Sequence, residues 1–131
     1  MKDCIFCKIV KGEIPCHKVY EDDYVLSFLD ITPRTEGHTL VIPKKHYENI
    51  YELPDEEIGN YFKGLKKTAM ILKKKLNARG MNILNNNGEV AGQFVFHLHF
   101  HLLPKYEKGK ELWPEEGFKG SLEETMKKLK S

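Results

Sequence analysis

The sequence lacks the features that mark membrane, secreted and nucleic-acid-binding proteins. No apolar run approaches the ~18 residues that span a bilayer, and the start, MKDCIFCKIV, has no apolar core or small-residue cleavage site of a secretory signal. The 21 basic and 19 acidic residues leave a net charge of only +2, which argues against a nucleic-acid surface. Three cysteines, an odd count without a signal, predict a reducing compartment, the cytoplasm.

What is present is typical of one folded domain. Hydrophobic residues make up 40% and charged residues 31% of 131 residues, enough to bury a core without disulfides. No internal repeat, low-complexity tract or linker divides the chain. After Pro104 the composition becomes polar, and the segment SLEETMKKLK predicts a terminal helix.

One segment has the period of a long amphipathic helix. From about Asp55 to Leu76, apolar residues recur at three- and four-residue steps, with lysines on the opposite side. The predicted buried face consists of Ile58, Tyr61, Phe62, Leu65, Ala69, Leu72 and Leu76. Acidic residues in the first turn and lysines in the last complement the helix dipole.

The other segments have the pattern of strands. KVYEDDYVLSFLD predicts a hairpin around an acidic turn, and HTLVIP, GMNILNN and QFVFHLHFHLLP predict three further strands. CIFCKIVKGEI predicts a short helical turn that ends near Gly12. Hairpin-spaced strands with one main helix indicate an α+β domain, an antiparallel sheet with the helix on one face.

Three histidines alternate with apolar residues in the last predicted strand. Because side chains alternate along a strand, His97, His99 and His101 share one face. His97 and His101 would lie roughly 13 Å apart, whereas a zinc ion holds its ligands at about 2 Å. One metal therefore cannot easily bind all three. Separate roles are favoured over a shared metal, and function is favoured over chance composition.

Two thiols near the N-terminus form a second cluster. Cys4 and Cys7 have the C-x2-C spacing of half a zinc knuckle, but the pair could also be a redox couple or two small buried hydrophobes. A zinc site would need two further ligands, and His46 and His97 are the candidates. Cys16 is interpreted as structural or incidental.

These residues carry a family resemblance. HLHFHLL resembles the signature of the histidine triad (HIT) nucleotide hydrolases and transferases. CIFCKIVKGEIP, VYEDDYVLSFLDITPRTEGHTLVIPKKH and NNNGEVAGQFVFHLHFHLLP resemble the Hint-type branch in the same order, over about residues 3–106. The resemblance implies a single HIT domain at residues 1–106 with a C-terminal tail at 107–131. It also implies an antiparallel meander sheet with one long helix, and a homodimer.

The resemblance also implies catalytic roles. His99 would be the nucleophile that attacks the α-phosphorus of a nucleoside phosphoramidate or polyphosphate and forms a nucleotidyl-imidazole intermediate. His101 would contact phosphate oxygens and stabilise developing charge. His38, in GHTLVIP, would be a further phosphate-side histidine.

A nucleotide pocket and a metal site follow from the same resemblance. Phe28, Asp30 and Ile31 would hold the base and ribose, although residue pattern alone makes Phe28 and Ile31 ordinary core and Asp30 the start of a turn. The loop that approaches the phosphates would contain Asn86, Gly92 and Gln93. Cys4, Cys7, His46 and His97 would bind a structural Zn²⁺. The chain departs from the pattern at Phe94, where many Hint members carry serine or threonine.

The function implied is a cytoplasmic hydrolase or nucleotidyl transferase that cleaves the α-phosphate bond of purine nucleoside phosphoramidates or related nucleotides. Two alternatives remain: a dinucleoside polyphosphate hydrolase of the Fhit type, or a nucleotide-binding regulatory module with incidental hydrolysis. Purine nucleotides and a second copy of the chain are the expected partners, and nucleic acids and membranes are not. The tail around Trp113 could reach the site of a dimer partner.

Overall fold

A computed structural model describes residues 3–131. The helices are α1 (Ile5–Val10), α2 (Asp55–Leu76) and α3 (Leu122–Lys130); the strands are β1 (Lys18–Glu21), β2 (Val25–Leu29), β3 (Thr39–Pro43), β4 (Gly80–Asn85) and β5 (Phe100–Lys105). Short 3₁₀ turns cover Ile50–Glu52 and Glu89–Ala91. The strands form one sheet of order β1-β2-β3-β5-β4 in which every neighbouring pair is antiparallel. The predicted α+β antiparallel fold is confirmed.

The sheet is covered on both faces, and alternate residues of β2 show this. Val25 and Leu29 pack into the main core beneath α2, whereas Leu26 and Phe28 pack with α1 on the opposite face. All five residues of β2 and of β3 are buried. The prediction of a helix on one face is confirmed, and α1 supplies a smaller cover on the other.

The bounds of α2 agree with the predicted segment, but its buried face is narrower than the prediction. Tyr61, Leu65, Leu72 and Leu76 are buried, as expected. Ile58 and Phe62 are 43% and 41% exposed, so their predicted burial is wrong for the single chain. Both residues lie in the N-terminal half of the helix.

The last predicted strand is shorter than the prediction. Pairing with β3 and β4 begins only at Phe100, so His97 and His99 precede the strand. The backbone N–H of Leu98 donates instead to the carbonyl of Tyr47 at 2.7 Å. The alternation of faces nevertheless continues: Leu98, Phe100 and Leu102 all enter the main core.

The chain beyond residue 106 returns to the domain. Residues 107–121 contain no helix or strand, and α3 then packs on α2 with Leu129 buried in the main core. The division at residue 106 stays a prediction. None of the helices in residues 3–131 has the length and apolar character required to cross a membrane.

Candidate active site and metal centre

A cavity of about 660 Å³ lies on the sheet face that carries α1. One end is lined mainly by aliphatic and aromatic side chains: Phe6, Ile9, Ile14, Phe28, Ile31 and Leu40. Polar groups of Asp30, Asn86, His99 and His101 face the same cavity. An apolar pocket with a few convergent polar groups is the usual form of a small-molecule site.

His99 presents an unprotonated nitrogen to this cavity. Its Nδ1 donates to the carbonyl of His97 at 2.8 Å, so the neutral ring carries its proton on Nδ1 and a free lone pair on Nε2. Burial lowers the pKa of His99, against smaller opposing effects of that hydrogen bond and of Asp30. Asn85 donates to the carbonyl of His99 at 2.9 Å and fixes its backbone. The ring is therefore held in the neutral tautomer whose Nε2 lone pair is free.

His38 and His101 form a hydrogen-bonded pair whose protons can be assigned. The backbone N–H of Arg34 donates to Nδ1 of His38 at 3.0 Å, so the proton of neutral His38 is on Nε2. Nε2 of His38 lies 3.0 Å from Nδ1 of His101 and donates to it, which leaves the proton of His101 on its own Nε2. Burial lowers the pKa of His38 to about 4 and that of His101 to about 3, so both rings are neutral near pH 7.

This assignment argues against a second metal site. Ligand atoms of Asp30, His38 and His101 lie within 4.8 Å of one another, a spacing that a cation could bridge. A histidine nitrogen binds a metal only when it is unprotonated, and Nε2 of His38, which faces Asp30 at 3.6 Å, carries the proton. The group is therefore a chain of hydrogen bonds that leaves His101 with a donor.

The predicted nucleoside residues surround the apolar end of the cavity. Phe28 is buried and lines the wall, so it is both core and pocket. Ile31 is 80% exposed at the rim and is not core. Asp30 begins a turn, because Oδ1 accepts from the backbone N–H of Thr32 at 2.9 Å, and it also borders the cavity. Both readings of Asp30 are thus compatible with its position.

The predicted phosphate loop divides into two parts. Asn86 and Gly92 line the cavity, and Gly92 has φ +91°, a left-handed conformation that favours glycine. Gln93 does not line it: its Nε2 donates to the carbonyls of Glu48 at 2.7 Å and Val95 at 3.1 Å, and its Oε1 accepts from the N–H of Gly88 at 2.8 Å. Gln93 therefore braces the loop from inside. Phe94, beside it, is 82% exposed at the cavity rim.

The structure adds Arg34 to the predicted site, and it brings Trp113, expected at the site of a dimer partner, to the site of its own chain. Trp113 packs edge-on against His38 and His101 of its own chain, with centroids 5.3 and 5.1 Å apart. The Arg34 guanidinium lies 5.7 Å from the Trp113 ring and donates to the carbonyl of Glu115 at 2.9 Å. The position of Trp113, a lone tryptophan in a polar tail, was the feature of the sequence that pointed to it. No feature of the sequence pointed to Arg34, because its backbone N–H rather than its side chain orients His38.

The predicted metal ligands converge at one point. A tetrahedral zinc ion with bonds of about 2.0 Å to nitrogen and 2.3 Å to sulfur places its ligand atoms roughly 3.3–3.8 Å apart. Nδ1 of His97 lies 3.4 Å from Sγ of Cys4 and 3.6 Å from Sγ of Cys7. Nδ1 of His46 lies 3.3 Å from Sγ of Cys7 and 3.2 Å from Nδ1 of His97. Two thiols and two imidazoles at these distances fit zinc.

The orientation of His97 supports the same fit. Its Nε2 lies 2.8 Å from the carbonyl of Pro43 and donates to it, so Nδ1, the nitrogen within the cluster, is unprotonated. A metal-binding histidine usually donates its other N–H in this way. The ring of His97 is thus directed to the thiols, whereas that of His99 is directed to the cavity.

Comparison with known proteins agrees with this arrangement. A sequence model of the HIT domain matches residues 11–108. An uncharacterised HIT-like protein of Methanocaldococcus jannaschii is 56% identical over 128 residues, which cover 97% of this chain and 98% of the relative. The adenosine 5′-monophosphoramidase of Schizosaccharomyces pombe is 49% identical over 102 residues, 78% of this chain and 74% of that protein.

A solved structure extends the match to the fold. The crystal structure of a Zn-bound histidine triad family protein from Mycobacterium smegmatis superposes with a TM-score of 0.85 at 36% identity, covering 98% of this chain and 91% of that one. The chain belongs to the histidine triad (HIT) family and resembles its Hint-like members, with the Cys4–Cys7 pair beside a histidine cluster.

Proposed function

We propose that the protein is a nucleotide hydrolase or nucleotidyl transferase that cleaves the α-phosphate bond of purine nucleoside phosphoramidates and related nucleotides. The observation that carries the proposal is the free Nε2 lone pair of buried, neutral His99 at the cavity wall. The similarity to an adenosine 5′-monophosphoramidase supports the substrate class.

In the proposed reaction, Nε2 of His99 attacks the α-phosphorus. A P–N bond to His99 forms, the bond from phosphorus to the leaving amine breaks, and the amine keeps the electron pair and takes a proton from solvent. Nε2–H of His101 donates to a phosphoryl oxygen and stabilises the added charge. Water then attacks phosphorus and gives its proton to solvent, the bond to His99 breaks, and the nucleoside monophosphate leaves.

The nucleoside would occupy the apolar end of the cavity. Phe28 and Ile31 offer surfaces for a base, and the Asp30 carboxylate can accept hydrogen bonds from ribose hydroxyls. Asn86 and the backbone at Gly92 also line the cavity, and they would contact the phosphate beside His99 and His101.

The metal in this proposal is a structural zinc. Cys4, Cys7, His46 and His97 would hold it, and a closed set of four protein ligands supplies rigidity rather than chemistry. Thiolate ligands favour the proposed cytoplasmic location, where they stay reduced.

A substrate panel tests the proposed function. Wild-type protein is assayed with adenosine 5′-phosphoramidate, a diadenosine polyphosphate and an acyl adenylate. We expect the phosphoramidate to give the highest kcat/KM, because its neutral amine leaves without the charge repulsion of a polyphosphate. A higher kcat/KM for the diadenosine polyphosphate would support the Fhit-type alternative instead. Binding of AMP with no turnover of any of the three would support a regulatory module.

We further propose that two copies pair along β4, an edge strand of the sheet. Ile83 of β4 is 52% exposed and pairs with Leu102, so it faces the α2 side of the sheet. Phe62 of α2 contacts Phe100 on that same side, at 5.4 Å between centroids. An exposed apolar patch beside an unpaired strand is a typical dimer surface.

Substitution in this patch tests the dimer. We expect Ile83→Lys to convert the protein from dimer to monomer in light scattering, because it buries a charge in the proposed interface. Tyr24→Lys, at an exposed turn between β1 and β2, is the matched control and should leave the mass unchanged. A monomeric wild type, or a dimeric Ile83→Lys variant, would contradict the proposal.

A further inference from the structure

The helix that carries the two thiols also forms a wall of the cavity. Cys4 is the N-cap of α1 and Cys7 lies in its first turn, where the N–H of Cys7 donates to Sγ of Cys4 at 3.3 Å. Phe6, between them in sequence, is buried and lines the cavity, and so does Ile9 one turn later. Two of the four predicted metal ligands and part of the cavity wall therefore belong to one short segment, α1 with its N-cap.

Few kinds of contact hold α1 to the rest of the fold. A helix of this length is not stable by itself. Within residues 3–131, the backbone hydrogen bonds of residues 4–14 outside the helix interior all join residues of that same segment. Two kinds of contact then hold α1 to the sheet: the approach of its thiols to His46 and His97, and the packing of its apolar side chains on Phe28 and Leu40.

Phe6 touches both sites at once. Its ring lies edge-on to His97 at 5.9 Å and to His99 at 5.2 Å between centroids, and it meets Phe28 at 5.6 Å. One contact thus belongs to the metal cluster, one to the proposed nucleophile and one to the nucleoside pocket. A shift of α1 moves all three together.

A second connection runs through the backbone. The His97 carbonyl accepts the Nδ1 proton of His99, while Nδ1 of the same His97 lies in the metal cluster. The residue that sets the tautomer of the proposed nucleophile is therefore itself a candidate metal ligand. Displacement of His97 disturbs His99 without any contact between His99 and the metal.

We propose that Phe6 is a positioning residue that links nucleotide binding to metal retention: a nucleotide in the cavity holds the metal more tightly, and the metal in turn orders the nucleotide wall. The inference rests on the proposed nucleotide and zinc sites. The two effects must be equal in free energy, because linkage between two binding sites is reciprocal. Phe6 carries the effect since its ring packs against groups of both sites.

The experiment measures zinc transfer from the full-length holoprotein to a chromogenic chelator, with and without saturating AMP. AMP binding is followed separately by the fluorescence of Trp113, the single tryptophan, which lines the cavity. Coupling between sites usually changes affinity 5- to 150-fold, and we expect AMP to slow zinc transfer by a factor in roughly that range, because tighter metal binding slows its release. Transfer of free zinc in the same AMP concentration corrects for chelation by the nucleotide.

Variants separate the role of Phe6 from loss of affinity. Ile31→Ala removes a side chain of the pocket rim that lies outside α1; it should weaken AMP binding yet keep the full slowing at saturation. Phe6→Ala should abolish the slowing even at saturation. Phe6→Leu, which keeps apolar volume and α1 packed, should give a value between Phe6→Ala and wild type.

The outcomes distinguish failure of the proposed linkage from failure of the proposed function. AMP binding to wild type without slower zinc transfer would overturn the linkage and leave the proposed nucleotide site intact. Full slowing in Phe6→Ala would overturn the role of Phe6. Absence of AMP binding to wild type, or of zinc in the purified protein, would reject the proposed function or the zinc site itself, and the linkage with it.

Discussion

Replacing His99 with alanine is expected to lower kcat for adenosine phosphoramidate by at least about 10⁴-fold, the scale typical for loss of a nucleophile. The free Nε2 lone pair is created by the Nδ1 hydrogen bond to His97. Alanine offers no atom that could attack phosphorus. The measurement is kcat by steady-state release of AMP.

Binding of AMP should survive the same substitution. The apolar walls and Asp30 are contributed by other elements, so we expect the Kd for AMP in His99→Ala to change by no more than a few-fold. His99→Gln, which keeps an amide donor for the carbonyl of His97, guards against a purely structural effect and should be equally inactive. His17→Ala, a histidine outside the cavity lining, is the matched control and should keep wild-type kcat.

The result that would contradict the assignment is simple to state. If kcat of His99→Ala stays within about tenfold of wild type, His99 is not the nucleophile. A joint loss of AMP binding and of thermal stability would instead show that His99 supports the cavity structure.

Sequence periodicity was sufficient where a residue's partners lie on its own element. The bounds of α2 were predictable because apolar spacing and terminal charges are local properties of its 22 residues. The exposure of Ile58 and Phe62 was not predictable, because the apolar face of a helix does not show how much of it the rest of the fold covers. Of the two, Phe62 belongs to the patch of the proposed dimer.

The separation of the histidines was predictable for a related reason. Backbone geometry alone puts the three histidines on one face and separates His97 from His101 along the chain. In the structure His97 lies with the thiols and His101 with His38. Where pairing begins was not predictable: β5 starts at Phe100 because the preceding backbone is held by Tyr47 and by the braced loop of Gln93.

The proton positions of the His38–His101 pair could not be predicted from the sequence. His38 has its proton on Nε2 because the N–H of Arg34, four residues earlier, closes onto its Nδ1. No pattern of side chains encodes a backbone donor in a loop. The sequence also does not show which of the three consecutive asparagines at 85–87 contacts His99. In the structure it is the side chain of Asn85 that donates to the carbonyl of His99.

Removal of one thiol is the second large effect. We expect Cys7→Ser to lower the zinc content of purified protein from about one ion per chain to near zero, because a serine hydroxyl does not ionise near pH 7 and is a poor ligand for zinc. Sγ of Cys7 lies close to Nδ1 of both His46 and His97, at 3.3 and 3.6 Å. Loss of this thiol therefore removes the ligand that lies close to both histidines.

Loss of the metal should also destabilise the fold. A ligand that binds only the native state at 1,000 times its Kd contributes about 4 kcal/mol, and we expect the free energy of unfolding of Cys7→Ser to fall by about that order. Metal analysis of protein purified without added zinc and urea denaturation measure the two effects. Addition of a chelator to wild type should reproduce the lower stability, and should change that of Cys7→Ser little.

The third cysteine provides the control for this experiment. Cys16 lies outside the metal cluster, so Cys16→Ser should keep both its zinc and the chelator-sensitive part of its stability. Zinc near zero in wild type would reject the metal site outright. Full zinc in Cys7→Ser would show that the ion is bound elsewhere, and α1 would then depend for its position on the packing of Phe6 and Ile9 alone.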